Sequence, residues 1–568
     1  MEPKTRSRTV SIGIQNFEDL MLHHYFYVDK TRFIKEWWEN GDVVTLITRP
    51  RRFGKTLTMD MVEKFFSIPY AKRADLFEGL FIWQEEKYRE LQGTYPVIFL
   101  SFSSVKETSF SDARKKICQI MLGLYTKYSF LLEGDYLSEK EKQYYQSVSV
   151  VMENYVVSSS LRMLSEFLYR YYGKRVIILL DEYDTPMQEA YLNGYWEEMV
   201  AFTRGLFQDT FKTNSYLERG LLTGITRISK ESIFSDMNNL EVVTTTSEKY
   251  ETAFGFTEEE VREALRQFGL SDQLERVRFW YDGFCFGKRK DIYNPWSITK
   301  YLDSGTFDTY WANTSSNRLV GKLLQEGTPE VKIAVEDLLA GKPICTELSE
   351  EVVFEELEES DQALWSLLLA SGYLRVEEAW EQEDKEETGA RYALALTNLE
   401  VKKECRRLIQ KWFKNNSSRY NDFIKAFLAK DIDYMNEYMN QVALQTFSSF
   451  DVGNKPSERA EPERFYHGFV LGLMVDLAGK YQITSNRESG FGRYDVMLEP
   501  VQKGEKAFII EFKVFRPSKE KDLEETVQNA LKQIEGKQYD TELVKKGIAK
   551  EEIRHYGFAF EGKKVLIG

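Results

Sequence analysis

Arg49-Pro50-Arg51-Arg52-Phe53-Gly54-Lys55-Thr56 is the stretch on which the reading of this 568-residue chain turns. A short apolar run, Val43 to Ile47, precedes it, and helical periodicity through Leu57, Met61, Val62 and Phe65 follows. The order strand, loop, helix puts Gly54, Lys55 and Thr56 at a helix N-terminus, where free backbone N–H groups and the helix dipole favour an anion. A lysine there can reach terminal phosphates, and the threonine hydroxyl can bind magnesium. In the pattern G-x-x-x-x-G-K-[ST] the first glycine falls at Arg49, so the motif is incomplete on its own.

A second motif completes the pattern. Val176 to Leu180 is an apolar run between Gly173 and Asp181, as expected of a strand buried on both faces of a parallel sheet. Asp181 at its end can hold magnesium through water, and Glu182 can orient or deprotonate an attacking water. The plainer alternative makes Gly54 a turn and Asp181-Glu182 a strand end in solvent. The two motifs together favour a P-loop NTPase, with ATP and Mg2+ (or Mn2+) as the expected cofactors. Arg51, Arg52, Phe53 and Leu57 complete the candidate nucleotide-binding set; for Arg51 and Arg52 the choice is between phosphate, a neighbouring subunit and a solvated basic loop. Arg227, after the strand-like run Leu221 to Thr226, either contacts a γ-phosphate or makes a surface salt bridge. A further strand at Val97 to Leu100 and helices at 111–128 and 155–172 give alternating elements, hence an α/β, doubly wound parallel sheet over residues 1–255.

Beyond this sheet, residues 256–410 read as a mainly helical lid, with Thr257 capping an acidic first turn. A hairpin of Gly372 to Val376 with Tyr392 to Leu396, around a charged tip at 377–388, gives it a winged-helix-like element. Residues 411–460 read as a helical linker that ends in a Pro- and Gly-containing stretch, and 461–568 as a separate domain. The net charge of −14 argues against a surface coated for nonspecific nucleic-acid binding. Its distribution is uneven: residues 461–568 carry 18 Lys and Arg against 18 Asp and Glu, so the acidic excess lies upstream. The four cysteines are scattered without a CxxC pair, and neither a membrane-length apolar run nor a signal peptide is present, which together lead us to expect a cytoplasmic protein with no membrane association.

In the last segment, Gly492 to Leu498 and Ala507 to Phe515 read as two strands joined by a turn at Lys503-Gly504-Glu505. Glu511 and Lys513 are two residues apart and project from one face, with Asp495 able to face them from the first strand. Two carboxylates can hold a divalent metal that activates water at a phosphodiester, with a lysine beside them to position or deprotonate that water. Glu463, opening a helix, can add a third carboxylate as a metal ligand, and Gln533 can point into the same pocket. The alternative is that Glu511 and Lys513 form an exposed ion pair. For Glu488 and Arg493 the choice is between the site and a solvated loop.

Arg49 to Thr56, Leu180 to Pro186, Thr223 to Arg227, Tyr27 to Thr31 and Tyr293-Asn294-Pro295-Trp296 resemble the bacterial AAA-ATPase-like family over about Ser11 to Ser297. In that family Pro-Arg-Arg-Phe-Gly-Lys-[Ser/Thr] replaces the glycine-rich opening, which accounts for Arg49. Helix with Glu463, then Asp495, then Glu511-Phe512-Lys513, then the Gln533 helix, resembles the PD-(D/E)XK nuclease superfamily. Tyr494 stands where the superfamily's proline would. That resemblance implies an α/β restriction-endonuclease-like domain, Asp495 and Glu511 as metal ligands, Lys513 as catalytic lysine, and Glu463 and Gln533 as accessory groups. The expectation is nucleotide-controlled cleavage of nucleic acid, DNA first, by a possible homo-oligomer. The rivals are a nucleotide switch that binds nucleic acid or a protein without cutting it, and a kinase or transport ATPase.

Overall fold

The apolar runs around the phosphate motif assemble into one parallel sheet. Its strands are β1 (Val44–Thr48), β2 (Val97–Ser101), β3 (Val176–Asp181), β4 (Leu217–Gly224) and β5 (Leu240–Val243), in the order β2-β3-β4-β1-β5. The computed structural model describes residues 9–568 apart from 229–233, 235–236, 312–317, 349–353, 359, 385–386, 413–416, 448–467, 469–471, 474, 478, 490–491, 503 and 562–563. Every residue of β1 and β3 is buried, as helices on both faces of a parallel sheet require. Because β4 lies between β1 and β3, the loop after β1 and the acids after β3 reach the same carboxyl edge one strand apart. Helix Asn154–Tyr172 stops at Gly173, whose φ of 69° is the left-handed turn that feeds β3. Helix Lys55–Phe66 packs Met59, Val62 and Phe65 into a core shared with Trp37 and Phe77, each such side chain contributing about 1.5–3 kcal/mol by burial.

The region expected to be mainly helical departs from that reading. Strands β6 (Phe256–Thr257), β7 (Phe284–Phe286) and β8 (Arg289–Tyr293) form an antiparallel sheet in the order β6-β8-β7. They are too short to show a period, and the readable signal was the Gly287-Lys288 turn after Phe284-Cys285-Phe286, with Gly287 at φ 56°. Helix Glu258–Gln267 starts at the cap expected of Thr257, and Glu260 makes that cap a full capping box. A second small sheet joins β9 (Ile344–Glu347), β10 (Leu374–Asp384) and β11 (Glu387–Leu396). The hairpin is longer than expected: its ladder runs from Leu374 opposite Leu396 to Asp384 opposite Glu387, so most of the charged tip at 377–388 is strand. Ladder bonds come from the backbone, and charged residues extend a hairpin whose register is already fixed at its apolar base.

The chain separates into two compact units, 1–319 with 345–401, and 320–344 with 402–568. The second is built on a mixed sheet of β12 (Tyr481–Ser489), β13 (Gly492–Pro500), β14 (Ala507–Val514), β15 (Ile553–Glu561) and β16 (Lys564–Ile567), hydrogen-bonded in that order. Only β14 and β15 run parallel, and helix Leu523–Gly536 makes the crossover between them. Helices Ser417–Ala429 and Ile432–Phe447, within the stretch read as a linker, pack on this sheet. Phe427 lies 4.8 Å from Phe508 and 5.0 Å from Tyr556 between ring centroids, and the amides of Asn436 and Asn440 donate to Ile567 and Val565 carbonyls at 3.0 and 2.7 Å.

Candidate active sites

Gly54, at φ 83°, turns the loop after β1 into helix Lys55–Phe66, and the space where a Cβ would stand is open. Lys55 folds back so that Nζ donates to the Arg49 and Pro50 carbonyls at 2.8 and 2.9 Å. Burial lowers the Lys55 amine, opposed by the charges of Glu182 and Asp181. Thr56 Oγ1 donates to Asp181 Oδ2 at 2.8 Å, and Thr223 Oγ1, from the end of β4, donates to Asp181 Oδ1 at 2.6 Å. Burial raises the Asp181 carboxyl, while the two hydroxyls act against that shift. Glu182 adopts φ 51°, a conformation seldom taken by a side-chain-bearing residue, and its Oε2 accepts from Thr185 Oγ1 at 3.1 Å.

Arg49, where a glycine would open the usual motif, has a different task. It is fully buried, donates to the Thr48 and Thr244 carbonyls at 2.9 and 2.6 Å, and lies 4.5 Å over the Phe286 ring. It thereby ties the loop to the segment after β5, and burial brings its guanidinium down to about 9. Arg52, at φ 66°, stacks 4.3 Å over Trp296, and the Arg51 carbonyl accepts from Asn294 Nδ2 and Trp311 Nε1 at 3.2 and 3.0 Å.

A cavity of about 650 Å³ opens on this loop. Arg51, Arg52, Phe53, Gly54, Lys55, Thr56, Leu57 and Glu182 all line it, although the Phe53 ring packs into the core against Phe284. Asp181 lines a smaller cavity of about 340 Å³, which shares Gln15, Thr56, Ser103 and Glu182 with the larger one. Arg227 is not among the residues lining either cavity, whereas Arg318 lines the larger one.

In the second unit, β13 and β14 pair Val496 with Ile510, and the same register continued sets Asp495 across from Glu511. Asp495 Oδ2 accepts the Phe512 N–H at 2.7 Å. Lys513 Nζ donates to Gln533 Oε1 at 2.6 Å. A lysine can only donate, so the amide presents its Nε2 to Glu511 Oε1, with which it is hydrogen-bonded. Gln533 therefore bridges the lysine and the carboxylate. Glu511 Oε2 is buried with no hydrogen-bond partner. Burial, then the Asp495 charge, push the Glu511 carboxyl up to about 8. Asp495, Lys513 and Gln533 line a cavity of about 470 Å³. Glu463 lies outside the described residues, as do the side chains of Glu488 and Arg493. Among the described residues no cluster of three or more metal-ligating side chains forms.

Residues 11–234 match the family model described as "Predicted AAA-ATPase", and residues 461–568 match that of the PD-(D/E)XK nuclease superfamily. The chain joins an AAA-ATPase-like domain to a PD-(D/E)XK nuclease superfamily domain. A protein of Azotobacter chroococcum mcd 1, described as an uncharacterized protein in vnfD 5'region, is 26% identical over 404 residues, 70% of this chain and 68% of its own length. The AAA-ATPase-like domain contains supports that the motifs did not show. Asp184 Oδ2 accepts from the Ile225 and Thr226 N–H groups and the Thr226 hydroxyl, each at 2.9 Å, locking the turn after β3 to the turn after β4. The readable signal was the acid three residues past Asp181 and the Thr-x-x-Thr at 223–226. No helix among the described residues is long and apolar enough to cross a membrane.

Proposed function

We propose that this chain binds and hydrolyses ATP at Lys55, Thr56, Asp181 and Glu182, and that its C-terminal domain cuts nucleic acid, DNA in the first instance, under nucleotide control. The observation that carries the cleavage reading is the Gln533 bridge: it ties Lys513, which lines a cavity together with Asp495, to the buried Glu511 carboxylate. An exposed ion pair, the rival for Glu511 and Lys513, would leave Glu511 in solvent, whereas it is buried with one oxygen unpartnered. That orphaned oxygen and the adjacent Asp495 fit a divalent cation, for which buried carboxylate oxygens are the right donors. Magnesium or manganese held there by Asp495 and Glu511 supplies charge neutralisation at the scissile phosphate and a more acidic water. Lys513 positions or deprotonates the attacking water, with Gln533 fixing the direction of its amine.

In the first unit, the Thr56–Asp181 pair is suited to Mg-ATP, and Lys55, held inside its own loop, is placed to move onto the terminal phosphates. Glu182 faces the same cavity and orients the attacking water. The test is phosphate release and DNA cleavage by the purified chain, with magnesium or manganese, in the presence and absence of ATP. ATP-stimulated cutting that Lys55→Ala abolishes supports nucleotide control. Cutting indifferent both to ATP and to Lys55→Ala rejects it.

A further inference from the structure

The segment between β14 and helix Leu523–Gly536, Phe515-Arg516-Pro517-Ser518-Lys519-Glu520-Lys521-Asp522, belongs to no motif discussed so far. It is a folded turn. The Lys519 and Glu520 N–H groups both donate to the Arg516 carbonyl at 2.9 Å, and the Phe515 N–H donates to the Phe560 carbonyl at 2.8 Å. Its two acids are engaged elsewhere: Glu520 accepts the Arg516 N–H at 2.9 Å, Thr526 Oγ1 at 3.0 Å and Asn529 Nδ2 at 3.1 Å, and Asp522 caps the following helix by accepting the Glu525 N–H at 2.9 Å. Glu520 thus staples the turn to the helix. Arg516 and Lys519 are exposed and have no acidic partner among the described residues, yet both line the cavity of Asp495 and Lys513.

Resting on the nuclease reading, we propose that Arg516 and Lys519 form a subsite for the phosphodiester backbone next to the cleaved phosphate. Two unneutralised cations on a pinned turn beside paired carboxylates attract and register a polyanion that those carboxylates alone would repel. Because the domain has no excess of basic residues, such a local pair carries a large share of its salt-dependent affinity. Phosphate contacts of this kind carry no base information, so cleavage should show little sequence preference from this turn.

The experiment uses the full chain carrying Lys513→Ala, to prevent cutting, and a labelled single-stranded DNA oligonucleotide titrated at several salt concentrations. Adding Arg516→Ala and Lys519→Ala is expected to weaken binding on the order of tenfold at low salt and to flatten the log–log salt slope by about 1.4. Lys550→Ala, an exposed cation outside the cavity, serves as the charge control. In the otherwise wild-type chain the double substitution should lower kcat/KM through KM. Unchanged affinity and salt slope in a chain that still cuts DNA overturns the subsite alone. An unsubstituted chain that neither binds nor cuts the oligonucleotide overturns the subsite and the nuclease reading together.

Discussion

Single side chains decide both sites, and the most informative is Glu511. In the metal-free protein its folded-state value of about 8 exceeds the ordinary 4.5, so the folded state binds the proton more tightly than the unfolded state. The sign follows: this contribution to stability is complete below about pH 4.5 and is lost as pH rises through about 8. Thermal unfolding of the metal-free chain is expected to show Tm of the nuclease domain falling over that interval. The rise in Tm on adding magnesium should grow over the same interval, because the cation displaces the proton. Glu511→Gln should flatten both trends, and a Tm indifferent to pH in the unsubstituted chain would contradict the assigned environment. Arg49 offers a second test. Arg49→Gly restores the usual motif but strips two carbonyls of their donor and empties a buried volume, so a loss of about 2–4 kcal/mol in denaturant unfolding is expected. A neutral result would show that the guanidinium does not hold the loop.

Among the elements, the turns after β3 and β4 are fitted to each other. A Cβ at Gly224 would stand 2.6 Å from the Tyr183 ring and 2.7 Å from Asp184 Oδ1, the residues that follow Asp181 and Glu182. Gly224→Ala is therefore expected to cost about 1–3 kcal/mol and to reduce ATP hydrolysis by displacing the turn, read as a lower Tm together with slower phosphate release. Wild-type turnover in that variant would separate the turn from the chemistry. The sequence made the strands on either side of this point legible, because Val176 to Leu180 is an unbroken apolar run, Leu221 to Thr226 is strand-like, and Gly54-Lys55-Thr56 has a fixed relation to its strand. It was silent on Arg49 as a buried tie, since an arginine in a polar loop usually reads as solvated. The short β6, β7 and β8 carried no period, and the pairing of Asp184 with the turn after β4 depends on topology that spacing does not encode. In the C-terminal domain the alternation at Glu511 and Lys513 was readable. The bridge between them was only partly so, because the role of Gln533 needs the crossover helix in place.

At the scale of the whole molecule, the residues proposed to hold Mg-ATP lie in one compact unit and those proposed to cut nucleic acid in the other. Lys55→Ala is expected to lower ATP hydrolysis on the order of 10²–10³-fold, measured as phosphate release, by removing the charge aimed at the terminal phosphates. Under nucleotide control the same variant loses ATP-stimulated cutting while its C-terminal domain unfolds at the wild-type temperature. The most direct single measurement is the rate of cutting of labelled DNA by the purified chain with magnesium, wild type against Lys513→Ala. A loss of about 10²–10⁴-fold in Lys513→Ala, with unchanged DNA binding and unchanged ATP hydrolysis, is the expected result. Cleavage that persists at the wild-type rate in Lys513→Ala would contradict it.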